Sequence, residues 1–210
     1  FETSENKEIA FMARVAERLE ELGYDIESFN EDKEIHEHCD NGNPAVYCGT
    51  WDKYNDGNLD GMWLDLTTFS DYDEFINFCN ALQADEEDPE LMFQDYEGFP
   101  HSWYDEWISE QTFDKIQSYT ELCEKYEQDA VDAWLCLSCN DNLDLFEEQY
   151  IGEYKSEEEF AEEICNECYC DAIRCLPNSM RNYFDYERYA QYLFSSGYEF
   201  CDGYVFLTSY

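Results

Sequence analysis

From Tyr54 to Asp114 the chain carries seventeen aspartates and glutamates and neither lysine nor arginine. The same stretch holds Trp63, Phe69, Phe75, Phe78, Phe93, Trp103 and Trp107. An acidic tail that stays disordered is poor in such residues, because it cannot bury enough apolar surface to offset the entropy of ordering. This segment has the aromatics for a core and is expected to fold against its own charge. Sixty-one residues without a base forgo every local ion pair, and the remaining self-repulsion disfavours the compact state. Folding gains nothing from that pattern, so the negative field itself is the feature to be explained.

Over all 210 residues, 52 acids against 11 bases give a formal net charge of −41. A magnitude of roughly 2 to 8 keeps a small domain soluble, so solubility does not account for it. Such a surface repels nucleic acid and anionic membranes, and it attracts basic grooves at rates that fall with salt. The expected partner is therefore a basic protein, with no direct nucleic-acid binding and no membrane. No run approaches the roughly 18 apolar residues of a membrane span. The eleven cysteines are odd in number and sit mostly in apolar helical or strand patterns, where a free thiol behaves as a small hydrophobe. With no signal-peptide pattern at the start, a cytoplasmic location is expected. The chain opens on Phe1, and its true start is expected upstream.

The patterns predict an α+β protein in four parts. Residues 1–43 form an N-terminal extension with an amphipathic helix over residues 5 to 22, where Ile9, Met12, Val15, Leu19 and Leu22 fall at spacings of three and four. Residues 44–100 form a first α+β domain. It has a strand over 45 to 51, a long turn cluster, a strand over 62 to 66, a helix over 71 to 82 capped by Ser70, and a strand over 91 to 96. Residues 101–149 read as a helical middle domain, with Phe113, Ile116, Thr120 and Cys123 on one face and Val131, Trp134, Leu135 and Ser138 on another. Residues 150–210 return to α+β. A strand over 150 to 154 leads to a helix from Ser156 with Glu159 completing a capping box, then to a helix over 186 to 196 ended by Gly197. A final hairpin turns on Asp202 and Gly203, the pair that suits a type I′ turn.

Candidate sites for chemistry are few. The loop from Asp52 to Trp63 has the acids of a calcium loop, but Tyr54 and Trp63 stand where an EF-hand needs oxygen ligands. Cys136 and Cys139 form one C-x2-C pair, and Cys165 and Cys168 another. Their separation is longer than in the usual zinc pattern, with Cys170 and Cys175 as spare ligands. A zinc-binding interaction module is thus an alternative of another class, and core cysteines are the simpler reading. His36, His38 and Cys39 read as surface loop. No nucleophile elbow, phosphate loop or His-paired nucleophile is present, so neither an enzyme nor a cofactor is expected.

The informative pattern is acids on helices that also have an apolar face. Glu158 and Glu162, and Glu159 and Glu163, are like charges at i,i+4, each costing a few tenths of a kcal/mol. Helical turns space charges by about 5.4 Å, the order of the roughly 3.4 Å between phosphates of one DNA strand. At about 1.7 Å of duplex per charge, 41 net charges would match at most about 70 Å of B-DNA. DNA mimicry explains that arrangement better than a merely solubilised surface.

Four separated blocks then resemble the ArdA antirestriction family: AVYCGTWDKYNDGNLDGMWLDL at 45 to 66, DPELMFQDYEGFP at 88 to 100, YIGEYKSEEEFAEEI at 150 to 164, and LPNSMRNYFDYERYAQYLF at 176 to 194 with DGYVF at 202 to 206. The resemblance runs in order from about 44 to 210. It implies an elongated row of three small domains, α/β, helical and α/β, in a homodimer from a mobile element or phage. It further implies a DNA mimic that occupies the DNA groove of Type I restriction-modification enzymes, blocking restriction and usually methylation. A mimic directed at another DNA-binding defence or nucleoid protein is the alternative within the class. The DNA-mimicking carboxylates expected in the first domain are Asp65, Asp73, Glu74, Asp85, Glu86, Asp88, Glu90, Asp95 and Glu97. Those in the last are Glu153, Glu158, Glu159, Glu162 and Glu163, with Asp185 and Glu187 in the segment from Leu176 to Glu187 that resembles the family's antirestriction motif. In that motif Tyr183 and Phe184 are expected to pack in the core. The first 43 residues and the cysteine-rich stretch over 164 to 175 lie outside what the family pattern accounts for.

Overall fold

The computed structural model describes residues 20, 42–59, 61–83, 85–138, 142–168, 172, 175–181 and 183–208. The helix expected over residues 5 to 22 lies outside them apart from Glu20, which is helical, and so do His36, His38 and Cys39. The described chain is mixed α and β with two three-stranded antiparallel sheets. It divides into two compact units, the first ending at Glu121 and the second beginning at Leu122.

In the first unit, β1 (Ala45–Thr50) is the central strand. It lies between β2 (Met62–Asp65) and β3 (Leu91–Glu97), antiparallel to both. That position explains its small and β-branched residues, since Ala45, Val46, Cys48 and Thr50 are wholly buried. The turn cluster after β1 is not plain loop. The Thr50 hydroxyl accepts from the Lys53 amide at 3.3 Å and starts a short helix, α1 (Trp51–Asn55). Gly98, at φ 76°, passes so close to the chain entering β1 that a Cβ would overlap the Asn43 carbonyl, and only glycine fits.

Helix α2 (Tyr72–Leu82) is capped by Asp71 rather than Ser70. The Asp71 carboxylate accepts from the Glu74 amide at 2.8 Å, and Glu74 reaches back to accept from the Ser70 amide and hydroxyl at 2.8 and 2.9 Å. This is a capping box displaced by one residue. The buried face, Phe75, Phe78, Cys79 and Leu82, is the one the spacing predicts. Phe75 stacks on Phe93 of β3 and on Phe113 of α3 (Glu110–Lys125), each at 5.4 Å, and meets Phe69 edge-on at 5.4 Å. An aromatic cluster thus carries the core beneath the acids.

The second unit begins with the end of α3 and continues through α4 (Gln128–Ser138) and α5 (Phe146–Gln149) into β4 (Tyr150–Glu153). Then come α6 (Glu157–Cys168), α7 (Asn178–Arg181), α8 (Tyr186–Ser196), β5 (Tyr198–Cys201) and β6 (Tyr204–Leu207). The sheet order is β4-β6-β5. Phe160 and Ala161 of α6 pack with Ala190 and Leu193 of α8 and Val205 of β6. The capping box at α6 forms as expected, with Ser156 Oγ accepting from the Glu159 amide and Glu159 accepting from the Lys155 amide at 2.7 Å. Asp202 and Gly203, at φ 49° and 95°, both adopt the positive values a type I′ turn demands.

Candidate functional site: the acidic surface

Of the sixteen described acids between Tyr54 and Asp114, twelve are exposed, so the charge faces water and projects outward. Asp73, Asp85, Asp88, Glu90 and Asp95 are among them, and Glu74, Glu86 and Glu97 are half-buried. Asp65 departs from its expected role. It is 7% exposed, and its Oδ1 accepts from the Thr67 amide at 2.9 Å and the Thr67 hydroxyl at 2.6 Å. Its Oδ2 accepts from Asn43 Nδ2 at 2.8 Å. A carboxylate so occupied ends β2 and is unavailable to a partner. Asp85 and Glu86 are turned toward Lys53, Asp85 at 2.9 Å and Glu86 at 3.8 Å.

In the second unit, Glu153 is exposed on β4, and Glu158, Glu159, Glu162 and Glu163 are exposed on α6. Helical periodicity separates them from Phe160, Ala161 and Cys165, which are buried. Asp185 caps α8 by accepting from the Arg188 amide at 2.9 Å, and Glu187 is exposed in its first turn. Negative side chains at these helix N-termini are favoured by the macrodipole, which partly offsets the crowding of like charge. Tyr183 overturns the expectation of core packing, being 86% exposed. Phe184 is half-buried against the rings of Tyr186 and Tyr189. Asp105, Glu106 and Glu110 in the first unit and Glu157 in the second are exposed as well, and membership in the stretch without lysine or arginine or in the first turn of α6 was the signal for them.

Of the paired cysteines, Cys136 is exposed and Cys165 buried. Cys139 and Cys170 lie outside the described residues, as does the side chain of Cys168. Among the described residues, no group of three or more His, Cys, Asp or Glu converges as a metal site would, and no helix is long and apolar enough to cross a membrane.

Tyrosines feel the acids directly. Tyr154 donates to Glu163 Oε1 at 3.1 Å, and Tyr204 donates to Glu127 Oε2 at 2.9 Å. Burial first, and then these carboxylates, push both phenols up to about 12. A phenol raised from its ordinary value of about 10 contributes stability that is whole below about pH 10 and is lost as pH rises through about 12. Melting temperature should therefore fall over that window, and fall less in a Tyr154→Phe, Tyr204→Phe variant. Identical slopes in the two proteins would show that other groups titrate.

Each unit thus displays carboxylates on helices and loops over an aromatic core, which defines the class at the level of the fold as a small acidic α+β protein. Residues 46–206 match the family described as Antirestriction protein (ArdA), and the chain belongs to that family. The family consists of non-enzymatic inhibitor proteins that act on restriction-modification enzymes. No curated protein matches the chain significantly.

Proposed function

We propose that the protein is a DNA mimic whose exposed carboxylates occupy the DNA-binding groove of a Type I restriction-modification enzyme, blocking restriction and with it methylation. The observation that carries this reading is the water-facing glutamate array of α6 on a helix whose opposite face is fully apolar. Folding requires the apolar face and not the array. Membership of the ArdA family supports the target class. The reading includes action as a homodimer in the cytoplasm of the host bacterium, on behalf of a mobile element or phage.

A purified Type I modification enzyme holding labelled cognate DNA, titrated with this protein, tests it. Displacement near stoichiometry is expected, with direct enzyme–protein affinity weaker at higher salt because the target's anion contacts are screened. No displacement at large excess would sink the reading and leave a different basic partner to be sought.

A further inference from the structure

Lys53 is the last lysine or arginine before the sixty-one residues that carry neither, and it points inward, 8% exposed. Its ammonium donates to Gln83 Oε1 at 2.5 Å and to Asp85 Oδ1 at 2.9 Å, with Glu86 Oε1 at 3.8 Å. Glu86 Oε1 also accepts from the Thr50 hydroxyl at 2.6 Å, and Gln83 Nε2 donates to the Cys48 carbonyl at 3.3 Å. At the other end of the same loop, the Trp51 amide donates to the Glu90 carbonyl at 3.0 Å. The segment joining α2 to β3 is thus tied at residues 83, 85, 86 and 90 to the corner where β1 becomes α1. Glu87 and Asp88 lie exposed between the ties, and the Glu90 side chain is exposed beside them.

Taking an ammonium out of water is costly unless acceptors replace the water, and here Gln83 and Asp85 accept from it with the Glu86 carboxylate close by. Without it, two carboxylates would face each other across a partly buried pocket and repel. We propose that Lys53 is a positioning residue of the acidic surface: it bonds Asp85 and offsets part of the charge of Asp85 and Glu86 so that the loop closes, and thereby holds Glu87, Asp88 and Glu90 fixed toward the partner. The proposal rests on the DNA-mimic reading and refines it. It divides the loop's acids into those that fasten and those that are presented. A DNA backbone offers its charges in a fixed array, and a mimic whose loop is ordered on folding avoids that ordering cost on binding.

Lys53→Met and Lys53→Arg proteins test this by amide exchange and by displacement of DNA from a Type I modification enzyme. The reporters are the amides of Glu86, bonded to the Gln83 carbonyl at 3.0 Å, and of Trp51, which close the two ends of the loop. In Lys53→Met both should exchange at least about tenfold faster while the amides of Phe78 and Cys79 in α2 are unchanged. Potency should fall roughly tenfold, and Lys53→Arg should restore most of both. Unchanged exchange at Glu86 and Trp51 would overturn the positioning role. If Lys53→Met does not fold, Asp85→Asn with Glu86→Gln takes its place, with the same faster exchange expected and wild-type protection overturning the proposal. An Asp88→Lys, Glu90→Lys protein separates the levels. Full potency there would remove the loop from the binding face, whereas lost potency there with full potency in Lys53→Met would sink Lys53 alone. Wild-type protein that displaces no DNA would defeat the mimic reading, and the exchange result would still decide whether Lys53 orders the loop.

Discussion

Changing Glu158 and Glu162 together to lysine should weaken displacement of DNA from a Type I enzyme by roughly a hundredfold and leave the fold intact. Both side chains are exposed one helical turn apart on α6, and neither faces the Phe160 core. The exchange alters the local charge by four units. At roughly 0.5–1 kcal/mol for each screened surface charge, the loss comes to about 2–4 kcal/mol of binding. The expected cost to folding is much smaller. The pair is like-charged before and after, so the main change is a lysine in the first turn, where the helix dipole disfavours it by about 0.3–1 kcal/mol. Glu163 is less suitable for this test, because reversing it would also break its bond with Tyr154. Displacement curves and a thermal melt on the same preparation decide the matter. Wild-type potency in the double variant would mean that α6 does not face the enzyme.

Phe75→Ala should cost about 3–5 kcal/mol, a large share of the roughly 5–15 kcal/mol that holds a typical domain folded. The ring is wholly buried and is in contact with Phe69, Phe93 and Phe113 together. Removing it opens a cavity between helix and sheet that rigid aromatic neighbours cannot fill. The first unit also has little to offset the loss, since its surface is self-repelling. Urea unfolding at two salt concentrations checks both points. The variant's midpoint should fall sharply, and added salt should recover part of it by screening the acids. A shift below about 1 kcal/mol would mean that the cluster repacks around the gap.

The local chemistry of the sequence was the most legible part of the fold. Asp202 and Gly203 specify their turn by backbone sterics alone, and Gly197 ends α8 where the periodicity stops. The α2 cap was displaced by one residue because Ser70 and Asp71 are both competent caps, and the choice falls to whichever lies three before the Glu74 amide. Helix α1 was missed because one helical turn leaves no periodicity, and its cap, Thr50, reads as strand. Side-chain burial was harder still. Lys53, Asp65 and Tyr183 each invert the habit of their residue type, and partners far along the chain decide the first two. Lys53 is held by residues 30 and 32 positions away, and Asp65 by Asn43, 22 positions away. The acidic surface could be anticipated from composition, but which of its carboxylates hold the fold together could not.

Among the described residues both sheets have three strands, so each has two outer strands, and on β3 the Phe93 amide and carbonyl are met from outside the sheet by Glu106 and Tyr104. In most proteins such outer margins invite a second chain to add a strand. Here β3 carries Asp95 and Glu97, β4 carries Glu153 and β5 carries Glu199, so three of the four margins bear the charge that the whole molecule bears. Two copies approaching margin to margin meet like charge before any backbone bond can form. Under the proposed function, the same acids that meet a basic groove therefore also oppose strand-to-strand joining of the small sheets.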